Sequence, residues 1–228
     1  MISNDSIVEF AGFEEYGFKA GMSLKSSWAD KSDIYDYINS NLDNNPKLVI
    51  PKQVHSSDIL KIDKSNLPDK LDCDGLISNE SGLCLTISTA DCVPVILASD
   101  CRWYGAVHIG WRGFVGGITD NLETFGIKNR IEFSKLKISL GPSIGACCYD
   151  VGDEVAILFD KKHLNISEQN IKLDLKQAVV EKFISMGVCE ENLTISEECT
   201  SCKTERFYSY RRDGKSPIQM VSYISKIK

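Results

Sequence analysis

Histidine is scarce in this chain, with three among 228 residues. Long apolar runs are missing as well. None approaches the roughly 20 residues a helix needs to cross a bilayer, so no membrane partner is expected. The N-terminus, MISNDSIVEFAGFEEYGF, has no basic start, apolar core or small-residue cleavage site. That argues against a secretory signal and for a cytoplasmic protein. Excess positive charge is absent: the formal net charge is −6, the wrong sign for a nucleic-acid partner, whose phosphates need a positive field. Arginine is sparse too. Of the six present, five lie in or close to the motifs below, which points to specific anion contacts rather than a diffuse basic surface.

There is no repeat of fixed period and no low-complexity tract. The one linker candidate is the short NLDNNP stretch ending at Pro46. A single domain spanning residues 1–228 is therefore expected, long enough to bury a core without disulfides. Hydrophobic residues at 43% and charged residues at 25% are ordinary for a globular chain. Cysteine, by contrast, is plentiful: nine occur, an odd number that cannot be fully paired. In a reducing compartment they should be thiols. They read as core residues, with one or more recruited to metal or nucleophilic chemistry.

Short β-branched apolar runs dominate the first two-thirds: Leu48–Val54, Ile59–Ile62, Leu83–Thr89, Val93–Ala98, Tyr104–Ile109 and Lys135–Leu140. Each has strand length and turn-forming flanks. Helices are expected over Gly113–Phe125, Asp150–Lys162 and Leu175–Met186, the last capped by Asp174 and closed by Gly187. Strands return at Leu193–Ser196, Arg206–Tyr210 and Gln219–Ile224. Strands outnumber helices without regular alternation, so the class is α+β, two packed sheets flanked by helices.

Three segments carry candidate chemistry: KQVHSSDIL around His55, STADCVPVIL around Cys92 and GAVHIGWRG around His108. Zinc accepts imidazole nitrogen and thiolate sulfur, and three protein ligands leave a position open for water or substrate. The plainer reading is a buried cysteine acting as a small hydrophobe and core histidines held by hydrogen bonds. Spacing alone does not separate the two, since no HExxH or paired CxxC is present. His163, after two lysines at an expected helix end, suits a surface role. Cys199 and Cys202 form a lone CxxC with no second pair, and Cys147 and Cys148 are adjacent; structural packing is expected for all four.

The ordered motifs QVH (Gln53–His55), DCDGLIS, TADCVPVIL, HIGWRG, LGPSIGACCYDVGDEV and RFYSYRRDG span about residues 50–214. They resemble those of the laccase-domain, YfiH-like family, described variously as polyphenol oxidases, purine nucleoside phosphorylases and peptidoglycan-editing factors. The resemblance implies zinc ligands at His55, Cys92 and His108, which would also form the catalytic centre. It implies a mixed β-sandwich flanked by helices (α/β/β/α), similar to toxin-type cysteine deamidases that use a Cys–His pair. The implied activity is phosphorolysis of adenosine, inosine, guanosine and methylthioadenosine, plus deamination of adenosine; purine nucleosides and phosphate are then the partners, and a homodimer is compatible with it. Where the family usually has Thr-Arg-x-Gly-Gly-x-Ser, this chain reads YGFKAGMSLKS, with Lys19 the nearest cation. Where RRDG is usually followed by Thr-Gly-Arg, it has KSPIQ. Both changes remove anion-binding capacity.

Substrate contacts are expected from Arg112 with the amides where Gly113 opens a helix, and from Tyr210, Arg211 and Arg212 as a closing wall. Asp91 directly precedes Cys92 and can join the site only if the chain turns there; otherwise it orients the loop. Three further functions compete. A thiol hydrolase would use Cys92 as nucleophile and His108 as base, as a peptidoglycan-precursor editor might. A multicopper oxidase needs many more imidazoles than three, although adventitious copper remains compatible with the centre. A non-catalytic metal-binding accessory protein would keep only the fold.

Overall fold

The computed structural model describes residues 6–26, 28–65, 67, 70–100 and 102–227, so the first five residues of the N-terminal stretch lie outside it. In chain order the strands begin with β1 (Ile7–Glu9), β2 (Phe18–Ser23), β3 (Lys47–Val49), β4 (Ile59–Lys61) and β5 (Gly75–Ser78). Then come β6 (Leu83–Thr89), β7 (Val93–Ala98), β8 (Tyr104–Ile109), β9 (Lys137–Leu140) and β10 (Asp150–Val151). The last are β11 (Leu164–Ile166), β12 (Ile171–Leu173), β13 (Leu193–Ile195) and β14 (Met220–Lys226). The helices are α1 (Lys31–Ser40), α2 (Trp111–Val115), α3 (Ile118–Lys128), α4 (Asp153–Ala156), α5 (Leu175–Ser185) and α6 (Tyr210–Asp213).

Two mixed sheets face each other. One runs β1-β2-β14-β6-β3 and the other β13-β9-β7-β8-β5-β4, with a small β10-β12-β11 sheet beside them. Strand side chains alternate between faces, and that parity builds the layers. Phe18, Leu85, Ile87 and Ile224 of the first sheet meet Leu76, Ile96, Tyr104 and Ala106 of the second in an inter-sheet core. The second sheet's other face, with Val95, Leu97, Val107 and Ile138, packs on Ile118 and Leu122 of α3 and Val179 and Phe183 of α5. Ile34 and Ile38 of α1 cover the outer face of the first sheet against Cys84, Val221 and Tyr223. The class is α+β, as expected, with helices outside two packed sheets.

Several local expectations change. The Gly113–Phe125 helix is two helices, broken at Gly116 and Gly117, where Gly117 takes φ 87°. Asp150–Lys162 is not one helix: it splits into β10, the one-turn α4 and a 3-10 turn at Lys161–His163. Arg206–Tyr210 is not a strand, because the Arg212 guanidinium donates to the carbonyls of Thr200, Ser201 and Phe207 and folds that segment on itself. Strand Leu48–Val54 stops at Val49. Pro46 lies in the short turn between α1 and β3 rather than in a linker. Among the described residues, no helix is long and apolar enough to cross a membrane.

Candidate metal centre

The centre forms where the chain leaves one sheet for the other. Strand β6 ends at Thr89 in the first sheet and β7 begins at Val93 in the second, so Cys92 sits in the tight crossing between them. His108 has the same parity on β8 as Tyr104 and Ala106, and therefore points into the inter-sheet space beside that crossing. His55 comes from the β3–β4 connection with φ 60°. The ligand atoms of His55, Cys92 and His108 all lie within 4.8 Å of one another, and the two imidazoles meet edge to face with centroids 4.9 Å apart. His108 is buried, Cys92 half-buried and His55 exposed, so the cluster has a closed floor and an open side.

A buried carboxylate that the sequence reading did not single out organises this arrangement. Asp74, with 0% exposure, accepts the Nδ1–H of His108 at 2.7 Å. It also accepts the backbone N–H groups of Val54, His55 and Ser56 at 3.2, 3.0 and 2.7 Å. One side chain thus fixes the tautomer of His108, leaving Nε2 for the cluster, and stabilises the left-handed turn of His55, a conformation that costs on the order of 1–3 kcal/mol unaided. Its signal lay in the DCDG stretch. Gln53 helps in the same way: its amide pairs with the Ser88 carbonyl at 2.8 Å and the Ser88 N–H at 2.7 Å, as a strand neighbour would. Gly113 is a glycine because a Cβ there would stand 2.8 Å from the Ser56 carbonyl.

The electrostatics follow from this packing. Burial pushes the Cys92 thiol up, but His108 and then His55 reverse that and bring its pKa down to about 6. Burial pushes the His108 imidazole down, but the Cys92 thiolate and then Asp74 carry it well above the usual range. Both shifts favour a thiolate beside an imidazolium, and the donor set suits a borderline-soft cation. It leaves one coordination side open.

The other expected site residues divide. Asp91 sits at φ 92° and its carboxylate turns away from the cluster. It accepts from Thr200 Oγ1 at 2.6 Å, Ser209 Oγ at 3.0 Å and the Arg211 N–H at 2.7 Å. These bonds clamp the 200–211 segment. Arg211 lies over the half-buried Tyr149 ring at 5.5 Å. Burial first and then the Cys92 charge push the Tyr149 hydroxyl pKa up. Tyr149 is a second residue that sequence reasoning missed. Arg112 is exposed and stacks on Trp111 at 4.3 Å. The helix expected to open at Gly113 is instead a five-residue turn starting at Trp111, too short to supply a substantial dipole. Tyr210 is 64% exposed, and Arg212 is spent on Asp213 and loop carbonyls. Lys19 donates to the Asn41 carbonyl at 3.0 Å and does not join the centre. His163, expected at the surface, is 8% exposed and pairs with Glu181 at 3.0 Å.

Comparison with known proteins gives a consistent picture. The family model described as multi-copper polyphenol oxidoreductase laccase matches residues 32–226. Purine nucleoside phosphorylase YlmD of Geobacillus stearothermophilus is 33% identical over 193 residues, covering 77% of this chain and 70% of the relative. Adenosine deaminase RL5, from an unknown prokaryotic organism, is 31% identical over 184 residues, covering 73% and 70%. The crystal structure of the Geobacillus YlmD superposes with a TM-score of 0.88 at 26% identity, over 99% of this chain and 98% of that one.

Proposed function

The chain belongs to the multi-copper polyphenol oxidoreductase laccase family, and from that premise we propose that it is a zinc-dependent purine nucleoside phosphorylase that also deaminates adenosine. The observation that carries the reading is the meeting of His55, Cys92 and His108 from three distant segments, with ligand atoms within 4.8 Å. It is supported by relatives bearing the names purine nucleoside phosphorylase and adenosine deaminase. The family description names copper, but the donors do not fit a multicopper cluster. Only two imidazoles reach the centre, and the third histidine is paired with Glu181. Two imidazoles and a thiolate fit one zinc ion.

Zinc held there would supply a Lewis acid with an open position for phosphate or water. The protein's own groups do the positioning. Asp74 holds His108 with its Nε2 lone pair toward the cluster. The exposed guanidiniums of Arg211, over the Tyr149 ring, and Arg112, over Trp111, offer cations for a phosphate held beneath the ribose. The exposed side at His55 is the entry. Adenosine, inosine, guanosine and methylthioadenosine are the proposed substrates, handled in the cytoplasm by one domain of residues 1–228 without a nucleic-acid or membrane partner.

Incubation of the zinc-loaded protein with adenosine and phosphate, resolved by chromatography, tests this. Adenine with ribose 1-phosphate is the expected main product, with inosine as the second; unchanged adenosine would reject the reading, as would full phosphorolysis by Cys92→Ala. One observation favours a second reading. The lowered thiol pKa of Cys92 beside His108 also suits a thiol hydrolase. Protein isolated without zinc, rapidly labelled at Cys92 by iodoacetamide and inert toward nucleosides, would favour that function instead.

A further inference from the structure

Four cysteines that the chemistry above does not use meet at one end of the β9–β13 edge. Cys147, Cys148, Cys199 and Cys202 have sulfur atoms all within 4.8 Å of one another. Cys202 Sγ lies 3.6 Å from Cys147 Sγ and 3.3 Å from Cys148 Sγ. The expectation of simple packing does not account for this. Cys147 and Cys202 are exposed and Cys148 is half-buried, so burial of apolar surface cannot gather them. Strand topology does. Strands β9 and β13 are parallel neighbours, so the chain leaves both at the same end. The Ser196 N–H to Leu140 carbonyl bond (2.9 Å) and the Thr200 N–H to Ser143 carbonyl bond (3.1 Å) extend that pairing into the loops. The turn at 145–148 therefore faces the turn at 199–202, and the Gly145 N–H donates to Cys199 Sγ at 3.2 Å.

We propose that Cys147, Cys148, Cys199 and Cys202 form a second metal site, a tetrathiolate zinc centre that joins the 143–149 turn to the 199–212 segment. A tetrahedron with Zn–S bonds of about 2.3 Å places its sulfurs about 3.8 Å apart; the separations from Cys202 to Cys147 and Cys148 are within a few tenths of an ångström of that, and the 4.8 Å limit on the others leaves about 1 Å of adjustment at most. Loading forms four Zn–S bonds and releases four thiol protons, leaving the centre with a net charge of 2−. Positive charge is at hand. Lys172 Nζ donates to the Cys147 carbonyl at 2.7 Å, and the Lys176 ammonium is held by the Ser196 carbonyl. The alternative of disulfides would require an oxidant, and all eight described cysteines are thiols. The joined segments lead directly to the first centre. Thr200 bonds to Asp91, next to Cys92, and Tyr149 follows Cys148 to lie beneath Arg211. The site is thus structural, bracing the mouth of the first centre.

Cobalt(II) titration of metal-free, full-length Cys92→Ala protein separates this site from the first. The expected result is one equivalent bound, with strong near-ultraviolet thiolate-to-cobalt absorption that zinc abolishes. Adding Cys202→Ser, an exposed and nearly isosteric change, should remove that equivalent while the far-UV circular dichroism stays unchanged. In parallel, Cys202→Ser should bind one equivalent of zinc fewer than wild type. Absence of the absorption in Cys92→Ala would overturn the proposal, as would its survival in both Cys202→Ser and Cys199→Ser. A disulfide within the cluster in anaerobically prepared protein would do the same. None of these readouts depends on nucleoside turnover, so failure of the phosphorylase reading would leave the result intact.

Discussion

Replacing Asp74 by asparagine changes one buried oxygen into an amide nitrogen among five donors. Oδ1 accepts from His108 Nδ1 at 2.7 Å and the His55 N–H at 3.0 Å. Oδ2 accepts from the Ser56 and Val54 N–H groups at 2.7 and 3.2 Å and from the Ser56 hydroxyl at 3.1 Å. If the new NH2 faces Ser56 and Val54, it opposes two backbone donors that cannot adjust. If it faces His108, that ring can shift its proton to Nε2 and accept at Nδ1, leaving only the His55 N–H opposed. The second orientation is therefore the cheaper one. It still exchanges charge-assisted bonds, worth about 1.5–3 kcal/mol each, for weaker ones. Breaking the buried pair should lower stability by about 3–5 kcal/mol. The proton on Nε2 also occupies the lone pair aimed at the cluster, the wrong tautomer for a ligand. Zinc affinity should fall about 10- to 100-fold, or about 1.4–2.8 kcal/mol. Competition with a chromophoric chelator reads the affinity, urea unfolding of metal-free protein reads the stability, and nitrogen NMR of His108 reads the tautomer. Unchanged affinity together with a proton still on Nδ1 would refute the reasoning.

Three further outcomes are expected. In metal-free protein, Cys92 should keep reacting with iodoacetamide as pH falls, losing its rate only through about 6, because the thiolate persists above its lowered pKa; a midpoint near the ordinary value of about 8.5 would mean that the pairing with His108 is not formed. Gly110→Ala keeps an allowed backbone at φ −91° but puts a Cβ 3.1 Å from Cys92 Sγ and 3.3 Å from His55 Cδ2. It should cost about 1–3 kcal/mol and reduce bound zinc, measured by elemental analysis, and normal zinc content would contradict the close packing. Asp91→Ala releases Thr200, Ser209 and the Arg211 N–H together, so KM for phosphate should rise more than kcat falls; a loss confined to kcat would show that Asp91 acts on the chemistry instead.

The central strands were legible with little error. Leu83–Thr89, Val93–Ala98 and Tyr104–Ile109 coincide with β6, β7 and β8, because each is a mostly apolar, strand-length run buried on both faces and bounded by turn residues. Elements whose limits depend on tertiary contacts were not legible. The helix expected from Gly113 divides at Gly117, and the one expected from Asp150 breaks up into three short pieces. The segment 206–210 answers to the Arg212 guanidinium and the Asp91 carboxylate rather than to its own β propensity. Asp74 and Tyr149 stood in quoted motifs, and the DCDG stretch was the one signal for Asp74, but a carboxylate before a glycine also reads as a turn residue and Tyr149 as an aromatic of the core.

Residue types and ordered motifs determined by themselves the α+β class, the central strands, and His55, Cys92 and His108 as candidate donors. Periodicity and donor chemistry are local properties that a linear chain displays. Which donors meet was decided by the tertiary structure alone. Strand parity aims His108 between the sheets, the β6–β7 crossing carries Cys92 to meet it, and Asp74 turns His55 toward both. The same holds for the four cysteines, whose separations along the chain are uninformative. The parallel pairing of β9 with β13 brings their loops to one end, and distance in space is set by that pairing, not by spacing in the sequence.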